Sequence, residues 1–332
     1  MALTPYPSPT LWERGEGTTA MVVVFKDAAL PPDYAALTYP GYRELLEMES
    51  PPCGPIFGVG YSLFGQPIGL ALAAGNVQSA EQQAPAQLLS LLVLEEFRNH
   101  GIGSTLLTRL QAELRQAGYD TVTCIYPLHK PSTPTLERLL ARQGWQAPQP
   151  RLLICRIQGQ AVERMLLAPW MHPPPLPTAF TIFPWHNATA TELEHLEATL
   201  ATEPPFDPTL SPFFKPKSYE TCNSLGLRYH GNIIGWMLTR RLAPGLICYE
   251  RLFVMPPFQR TGRAIALLAE AIRRHYDREG DLPLPNRGGV WLTQATNLPM
   301  ARFIRRRMAP YLTSLTETME AVCQLLPVRS EE

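Results

Sequence analysis

A short polar turn between a predicted strand and a predicted helix carries the first chemical signal in the sequence. The strand covers residues 252–255, two prolines interrupt it, and apolar residues at helical spacing follow from Ile265. The small residues of the turn let a ligand approach the backbone, and the first N–H groups of the helix point toward the same place. The pattern therefore predicts an anion site, most naturally one for a phosphate. The turn consists of Gln259, Arg260, Thr261, Gly262, Arg263 and Ala264.

The same pattern occurs a second time, earlier in the chain. Residues 91–110 again read as strand, turn and amphipathic helix, and the turn glycines Gly101 and Gly262 differ by 161 positions. A glycine-rich hairpin precedes each copy, and three glycines of one hairpin coincide with three of the other at a constant offset of 166. A single turn of this kind is usually a plain connection, but two in the same context predict a tandem of two similar domains.

Composition excludes several classes of protein. The 332 residues include 29 basic and 29 acidic side chains, so the sequence predicts neither nucleic-acid binding nor attraction to a membrane surface. Hydrophobic residues make up 45% of the chain, but no apolar run is long enough to span a bilayer. The six cysteines form no C-x-x-C pair and no metal-like cluster with histidines, which predicts reduced thiols, no metal site and a cytoplasmic location.

The order of predicted elements divides the chain into four parts. Residues 1–20 are proline-rich without apolar periodicity and are expected to form a disordered tail. The first domain is predicted at residues 21–158 and the second at residues 179–328. Between them, residues 159–178 contain five prolines and are expected to be a linker. In the second domain, an aromatic and proline-rich segment at residues 203–221 could either close over a substrate or be pinned to the surface by aromatic packing.

This arrangement resembles the GNAT superfamily of acyl-CoA-dependent N-acyltransferases, over residues 22–157 and again over 180–326. The resemblance implies an α+β fold, with a mixed, mostly antiparallel central sheet flanked by helices in each domain. It also implies that main-chain N–H groups of the turns hold the pyrophosphate of coenzyme A. In the first domain the coenzyme-binding residues would be Val93, Leu94, Arg98, Asn99, His100, Gly101, Ile102 and Gly103. In the second they would be Val254, Met255, the six turn residues and Asn297.

The general base and the general acid of the family can be sought at defined positions. Glu250 stands on the strand before the second turn, where the family's base is often found, although it could equally pair with a neighbouring arginine. Residues 87–94 of the first domain include no acidic residue. Many members carry a tyrosine acid where this chain has Ile304 and, in the first domain, Leu140. Tyr311 is a substitute acid for the second domain, or else an aromatic packed at a helix end.

The resemblance implies an N-acyltransferase, expected to move an acetyl group from acetyl-CoA to an amine of a small molecule or protein. Glu250 would remove the amine proton, and a backbone N–H near Val254 or Met255 would stabilise the thioester oxygen. The first domain lacks the family's asparagine, having Thr133 there, and is expected to be degenerate or supporting. Two alternatives remain: a non-catalytic acyl-CoA-binding or scaffold protein, and a transferase using aminoacyl transfer RNA. Neutral charge argues against the last.

Overall fold

The computed structural model describes residues 20–26, 32–46, 53–79, 82–202, 207–214, 218–278, 283 and 287–325. Apart from Ala20, the predicted disordered tail at residues 1–20 lies outside this described part. The chain forms two compact units. The first unit combines residues 1–150 with residues 318–332, and the second unit spans residues 151–317.

The described strands and helices follow the predicted alternation. The strands are β1 (Ala20–Lys26), β2 (Ile56–Leu63), β3 (Gln66–Ser79), β4 (Gln82–Val93), β5 (Thr121–Pro127), β6 (Gln149–Gln158), β7 (Phe180–Pro184), β8 (Leu225–Tyr229), β9 (Asn232–Ala243), β10 (Leu246–Val254), β11 (Gly288–Gln294) and β12 (Ser314–Gln324). The helices are α1 (Pro32–Ala35), α2 (Pro40–Leu46), α3 (Ile102–Gln116), α4 (Thr133–Arg142), α5 (Gln160–Leu166), α6 (Ala190–Thr202), α7 (Arg263–Arg278) and α8 (Leu298–Phe303). After α8, a π-helical turn at Ile304–Met308 and a 3-10 turn at Ala309–Tyr311 lead to β12.

The two units share one topology. In the first unit the strand order is β1-β2-β3-β4-β5-β12, and each neighbouring pair is antiparallel except β4 with β5. In the second unit the order is β7-β8-β9-β10-β11-β6, and the one parallel pair is β10 with β11. Each sheet is thus mixed and mostly antiparallel with helices packed against it, which confirms the predicted fold class.

The repeated hairpins have the same turn geometry. Phe64 and Gly65 connect β2 to β3 with φ values of 51° and 76°, and His230 and Gly231 connect β8 to β9 with 47° and 87°. Two consecutive positive φ angles are typical of the tight hairpin turns whose twist matches that of the flanking strands. The glycine repeat in the sequence therefore marks backbone positions that a bulkier residue could adopt only under strain.

The long helix after each phosphate turn packs its apolar face against the sheet of its own unit. In α7, Leu267, Leu268 and Ile272 are at most 2% exposed and belong to the main core of the second unit. In α3, Leu106 and Leu110 occupy the equivalent place in the first unit and are at most 1% exposed. The spacing of apolar residues on these helices thus fixes where their N-terminal ends lie relative to the sheet.

The predicted domain boundaries place one strand of each unit incorrectly. The first domain is predicted to end at residue 158, but β6 pairs with β11 of the second unit over residues 152–158. Conversely, residues 318–324 of β12 pair with β5 of the first unit. Buried residues follow this exchange, since Ile157 lies in the second core and Cys323 in the first. Apolar alternation identifies a strand and its buried face, but it does not identify the sheet edge with which the strand pairs.

The predicted linker at residues 159–178 is largely structured. Its first half forms α5, and a 3-10 turn at Pro169–Met171 follows. Met165 and Met171 are fully buried in the core of the second unit, and Trp170 packs edge-on against Phe303 with ring centroids 5.3 Å apart. Four of the five prolines therefore follow the part of the segment that packs into the core.

A capping box closes the start of α6, and the spacing of Thr189 and Glu192 in the sequence is typical of one. The Thr189 N–H donates to Glu192 Oε2 over 2.8 Å, and the Glu192 N–H donates to Thr189 Oγ1 over 3.2 Å. All six cysteines are free thiols, and four of them are buried. Among the described helices, none is long and apolar enough to cross a membrane.

Candidate active site

The phosphate turn of the second unit is a compact loop held by its own side chains. Gln259 Nε2 donates to the Val254 carbonyl over 2.8 Å, and Thr261 Oγ1 donates to the Phe258 carbonyl over 2.5 Å. Arg260 and Gly262 have φ values of 59° and 81°. Beyond its chain neighbours, no described atom lies within 4 Å of the place where a Gly262 Cβ would be. The inner side of the loop is therefore open to a ligand.

The main-chain N–H groups from Arg260 to Ala264 give this loop its affinity for anions. Helix α7 begins at Arg263, so its first N–H groups have no acceptor within the helix. Within the described ranges, none of the N–H groups from Arg260 to Ala264 donates to a protein acceptor. The positive end of the α7 dipole adds to their effect, which makes the loop suited to a phosphate.

The first unit builds the same turn. Arg98 Nε donates to the Val93 carbonyl over 3.1 Å, as Gln259 does in the second unit. Asn99 and Gly101 have φ values of 66° and 80°, within a few degrees of their counterparts Arg260 and Gly262. The turn residues His100, Ile102 and Gly103 complete the loop and open α3. The backbone of the predicted coenzyme site is thus repeated in both units.

A cleft opens between the two parallel strands of each unit. The ladder between β10 and β11 ends at Tyr249 and Trp291, although β10 continues to Val254 and β11 to Gln294. In the first unit the described ladder between β4 and β5 ends at Leu88 and Cys124, five residues before β4 ends. Because the strands continue without pairing, they separate toward the phosphate turn and leave room between them for an extended ligand.

A β-bulge lies at the point where each cleft begins. In β10, Tyr249 pairs with Thr239 and Arg251 with Leu238, so Glu250 is the extra residue. The same irregularity in β4 makes Leu89 the extra residue of the first unit. A bulge re-aims side chains next to functional sites and disrupts the ladder locally. The second unit therefore presents a carboxylate at this position, and the first unit presents an aliphatic side chain.

Glu250 is held by an arginine on the neighbouring strand. Arg240 Nε donates to Glu250 Oε1 over 2.7 Å, and the Glu250 side chain is 13% exposed. This hydrogen bond raises the pKa of Arg240, so the guanidinium stays charged. Both sequence readings of Glu250 are therefore compatible with its geometry, because the arginine that pairs with the carboxylate also fixes its orientation beside the cleft.

The backbone geometry separates the two predicted oxyanion donors. The Met255 N–H donates to the Ile234 carbonyl on β9 over 2.8 Å, so Met255 is not available as a donor and that prediction is corrected. Successive residues of a strand point their N–H groups to opposite edges. The Val254 N–H therefore points toward the cleft, as does the Val254 carbonyl that Gln259 contacts. The first unit has the same arrangement. The Leu94 N–H donates to the Ile68 carbonyl over 2.9 Å, so the Val93 N–H points toward the cleft.

Asn297 lies just after β11, at the start of α8. Its side-chain oxygen accepts from the Met300 N–H over 3.2 Å and caps the helix, and the residue is exposed. Thr133, its predicted counterpart, is 5% exposed and donates to the Pro127 carbonyl over 3.1 Å. The second unit thus keeps a carboxamide at the cleft rim, whereas the first has a buried hydroxyl that bonds its own chain.

Tyr311 is not brought to Glu250. It is partly buried, packs against the core of the second unit and makes no contact with Glu250 in the described residues. The N–H of Thr313, two residues later, donates to Arg156 on β6, and β11 separates β6 from β10. With strands about 4.8 Å apart, β6 and β10 lie roughly 10 Å from each other, and Tyr311 belongs to the β6 side of the sheet. Ile304 and Leu140, at the family's tyrosine positions, are each 1% exposed core residues.

The aromatic segment predicted over residues 203–221 is pinned to the sheet where it is described. Trp236 Nε1 on β9 donates to the Leu210 carbonyl over 2.8 Å, and Gln294 at the end of β11 bonds Asp207. Arg251 on β10 donates to the Ser211 carbonyl. These anchors on β11, β10 and β9 place the segment across one face of the cleft. Residues 203–206 and 215–217 lie outside the described ranges.

The cysteines have the properties of buried, unreactive thiols. Burial raises the pKa of Cys124 and of Cys155 to about 12. Burial, together with the nearby Glu220 carboxylate, raises the pKa of Cys222 to about 11. A thiol attacks as its thiolate, so these values argue against covalent catalysis by cysteine. Within the described part of the chain, no group of histidine, cysteine and acidic residues could hold a metal ion.

Comparison with known proteins agrees with this geometry. Residues 23–141 match the acetyltransferase (GNAT) family. The fold resembles a tandem GNAT protein from the clavulanic acid biosynthesis pathway, with a TM-score of 0.54 over 93% of this chain and 100% of that chain. Residues 23–141 therefore belong to the GNAT family. This stretch makes up most of the first unit, and the second unit repeats its strand order.

A second solved structure covers both units. A GCN5-related N-acetyltransferase from Sphaerobacter thermophilus matches 92% of this chain and 96% of its own, with a TM-score of 0.58. Identity is 18% to this protein and 13% to the clavulanic acid pathway protein, so both comparisons establish the fold alone. No functionally curated protein shows significant sequence similarity to the chain.

Sequence reasoning missed two features of the site. The bulge at Glu250 depends on how β10 pairs with β9. The alternation of apolar residues along β10 alone does not indicate it. Arg251, the next residue, was read only as a possible partner of the glutamate. Its burial and its anchoring of the aromatic segment depend on contacts with residues some 32 to 40 positions away. No local pattern could have revealed them.

Proposed function

We propose that this protein is an acyl-CoA-dependent N-acyltransferase whose second unit transfers an acetyl group from acetyl-CoA to an amine. The observation that carries the proposal is the position of Glu250, on a bulge where the cleft between β10 and β11 begins. The cleft runs from this carboxylate to the phosphate turn at the end of β10. One end of the cleft thus suits an anion, and the other offers a base.

The coenzyme would be held mainly by backbone groups. Its pyrophosphate would accept from the N–H groups between Arg260 and Ala264, and its pantetheine arm would lie between the separated strands. Arg263 stacks over the Phe180 ring at 4.7 Å and donates to the Thr261 carbonyl, which keeps its guanidinium near the turn. Asn297, at the opposite rim, would contact the pantetheine arm with its amide N–H₂ group.

Acyl transfer requires a neutral amine, because an alkyl ammonium loses its proton only near pH ~10. Glu250 would accept that first proton, with Arg240 keeping the carboxylate in place. The amine nitrogen then bonds to the thioester carbon, and the Val254 N–H would stabilise the oxygen as it gains negative charge. The C–S bond breaks with its electron pair on sulfur. The second proton of the nitrogen goes to the thiolate, so the products are an amide and the free thiol.

The first unit fits a binding role without turnover. It has the same turn and cleft but carries Leu89 where the second unit carries Glu250. An aliphatic side chain cannot remove a proton from an amine. This difference favours the alternative proposal, a non-catalytic acyl-CoA-binding domain, for the first unit specifically.

Calorimetric titration with acetyl-CoA tests the coenzyme assignment. In Gly262→Glu the new carboxylate faces the phosphate position, so binding to the second unit should weaken at least tenfold. Because φ at Gly262 is 81°, any side chain there is strained, and Gly262→Ala controls for that strain. If Gly262→Ala binds acetyl-CoA as weakly as Gly262→Glu, the loss is caused by backbone strain and not by the carboxylate. No binding by the wild-type protein would overturn the assignment.

A further inference from the structure

Arg251 is the one arginine that counts as buried in the described part of the chain, at 5% exposure. The other structured arginines near it in the second unit have carboxylate partners: Arg240 pairs with Glu250 and Arg241 with Glu220, each over 2.7 Å. Arg228 likewise pairs with Glu192 over 2.6 Å. Arg251 has no carboxylate within ion-pair distance among the described residues. Within the described ranges, the most buried guanidinium thus lacks the carboxylate partner that its more exposed neighbours have.

The protein contacts of Arg251 are neutral and involve one side of its guanidinium. Nη1 donates to the Tyr219 hydroxyl over 2.8 Å and to the Ser211 carbonyl over 2.5 Å. The rings of Tyr219 and Phe214 lie 5.7 and 5.9 Å from its central carbon. Nε and Nη2 make no hydrogen bond within the described ranges. A buried charge is costly unless an opposite charge and hydrogen bonds compensate it, so these remaining donors favour an anion.

The bulge places Arg251 and Glu250 on the same face of the sheet. Tyr249 faces α7, where its hydroxyl lies 3.0 Å from His275 Nδ1, whereas Arg251 faces the aromatic segment on the other side. Arg240, which holds Glu250, shares that second face with Trp236 and Leu238 by strand alternation. The backbone positions of Glu250 and Arg251 are consecutive, about 3.8 Å apart. A cation and a candidate base therefore stand side by side at the inner end of the cleft.

We propose that Arg251 binds the carboxylate of the acceptor, and that the acceptor is a small amino acid whose amine faces Glu250. Nε and Nη2 present two parallel donors, the geometry that a carboxylate accepts with both oxygens. An amine one or two carbons from that carboxylate would reach the neighbouring Glu250. The inference rests on the proposed acyl transfer, since it names the class of acceptor that the same site would use.

Matched pairs of acceptors test this inference. Thiol release from acetyl-CoA would be measured with phenylalanine against phenethylamine, leucine against 3-methylbutylamine, and β-alanine against ethylamine. The wild-type protein should prefer the carboxylate member of a pair by about tenfold to a hundredfold in kcat/KM, because a charge-assisted pair is lost in the amine. Arg251→Met, which keeps the length of the side chain without its charge, should abolish that preference.

Arg251 also anchors the aromatic segment, so a control must separate anchoring from carboxylate binding. Tyr219→Phe removes a hydroxyl that accepts from Arg251 and donates to the Pro212 carbonyl, but leaves the guanidinium in place. This variant should retain the preference for carboxylates. Calorimetric titration of the amino acids into the wild-type protein and Arg251→Met, without acetyl-CoA, adds a readout that does not depend on turnover.

The outcomes distinguish the two proposals. Amino-acid binding that Arg251→Met loses and Tyr219→Phe keeps supports the acceptor site, even if no thiol is released and acyl transfer alone fails. Equal kcat/KM within every pair overturns the acceptor inference and leaves acyl transfer standing. The absence of amino-acid binding by the wild-type protein, or equal binding by Arg251→Met, also overturns the inference.

Discussion

The two units of this protein have the same backbone around the cleft and different side chains at its inner end. The turns agree in φ angles and in the side chain that holds the strand carbonyl. At the bulge, the first unit has Leu89 followed by the buried Ser90, and the second has Glu250 followed by the buried Arg251. In the proposed function, coenzyme binding would rest on the repeated backbone, whereas acyl transfer would depend on two side chains that the repeat does not share.

The residues below the bulge differ as well. In the second unit the last paired residues of the cleft, Tyr249 and Trp291, stack with ring centroids 4.7 Å apart. The corresponding pair in the first unit is Leu88 and Cys124. The strand ladder at the inner end of the cleft thus ends in two large aromatic residues in the second unit and in two smaller side chains in the first. The units therefore differ in the space beside the bulge as well as in its chemistry.

The largest effect should come from removing the carboxylate that distinguishes the units. Glu250→Gln keeps an oxygen that can accept from Arg240 but cannot take up a proton. We expect kcat for acetyl transfer to fall about a hundredfold or more, because a positioned general base contributes at least that much. Acetyl-CoA affinity should change little, since the phosphate turn is untouched.

The matched variant in the first unit is Leu89→Gln, which should leave kcat unchanged. Thiol release at saturating acetyl-CoA and acceptor measures both variants. Unchanged kcat in Glu250→Gln would remove Glu250 from the mechanism. A large loss of kcat in Leu89→Gln would show that the first unit carries the chemistry, contrary to this account.

Truncating one buried side chain on each exchanged strand should destabilise the units separately. Ile157 on β6 is 1% exposed in the second core, and Leu325 just after β12 is 2% exposed in the first. Substitution of either by alanine should cost about 2–5 kcal/mol of unfolding free energy. Hydrogen exchange should show faster amide exchange in the second unit for Ile157→Ala and in the first for Leu325→Ala. Faster amide exchange in the first unit for Ile157→Ala and in the second for Leu325→Ala would show that each strand belongs to the unit in which it was predicted.

Acid should affect the second unit first. The described carboxylates with lowered pKa values, Glu192 and Glu220, both lie there. The hydrogen bond from Arg228 lowers the pKa of Glu192 from 4.5 to about 2. For Glu220, burial raises the pKa, but the hydrogen bonds from Arg241 and Cys222 together with the charge of Arg241 outweigh burial and lower it. A lowered folded-state pKa stabilises the fold above the unfolded value, and this contribution is lost as pH falls from 4.5 toward 2.

Glu192→Gln should isolate this smallest effect. The variant should lose about 1 kcal/mol at pH 7, a modest amount because the Glu192 side chain is 22% exposed. The difference from the wild-type protein should shrink as the pH falls below 4.5 and vanish only once the pH is below the folded-state pKa of about 2, where Glu192 is protonated in both states. Denaturation curves of the two proteins at several pH values measure it. A constant difference across that range would show that the carboxylate's charge is not responsible.

The repeat in the sequence predicted the fold and the phosphate turns because glycines mark backbone conformations directly. Gly101 and Gly262 both have φ near 80°, and the hairpin turns also need positive φ. The exchange of β6 and β12 could not be predicted, since either strand fits the same kind of edge. The sequence offers Glu250 as a candidate base from its place on the strand, and that role stays a prediction. The contacts of Arg251 could not be predicted, because they are made with residues 32 and 40 positions away. Tyr311 has the hydroxyl that a general acid needs, but it packs against the core of the second unit.

The central claim is that the second unit carries acyl transfer and the first does not. Its most direct test is thiol release from acetyl-CoA, with an acceptor that the wild-type protein uses, in Gly101→Glu and Gly262→Glu. Both glycines have open space at the Cβ position among described atoms and nearly equal φ, so the two changes are equivalent in form. The account predicts nearly wild-type turnover in Gly101→Glu and a loss of at least tenfold in Gly262→Glu. Turnover that survives in Gly262→Glu and fails in Gly101→Glu would contradict it.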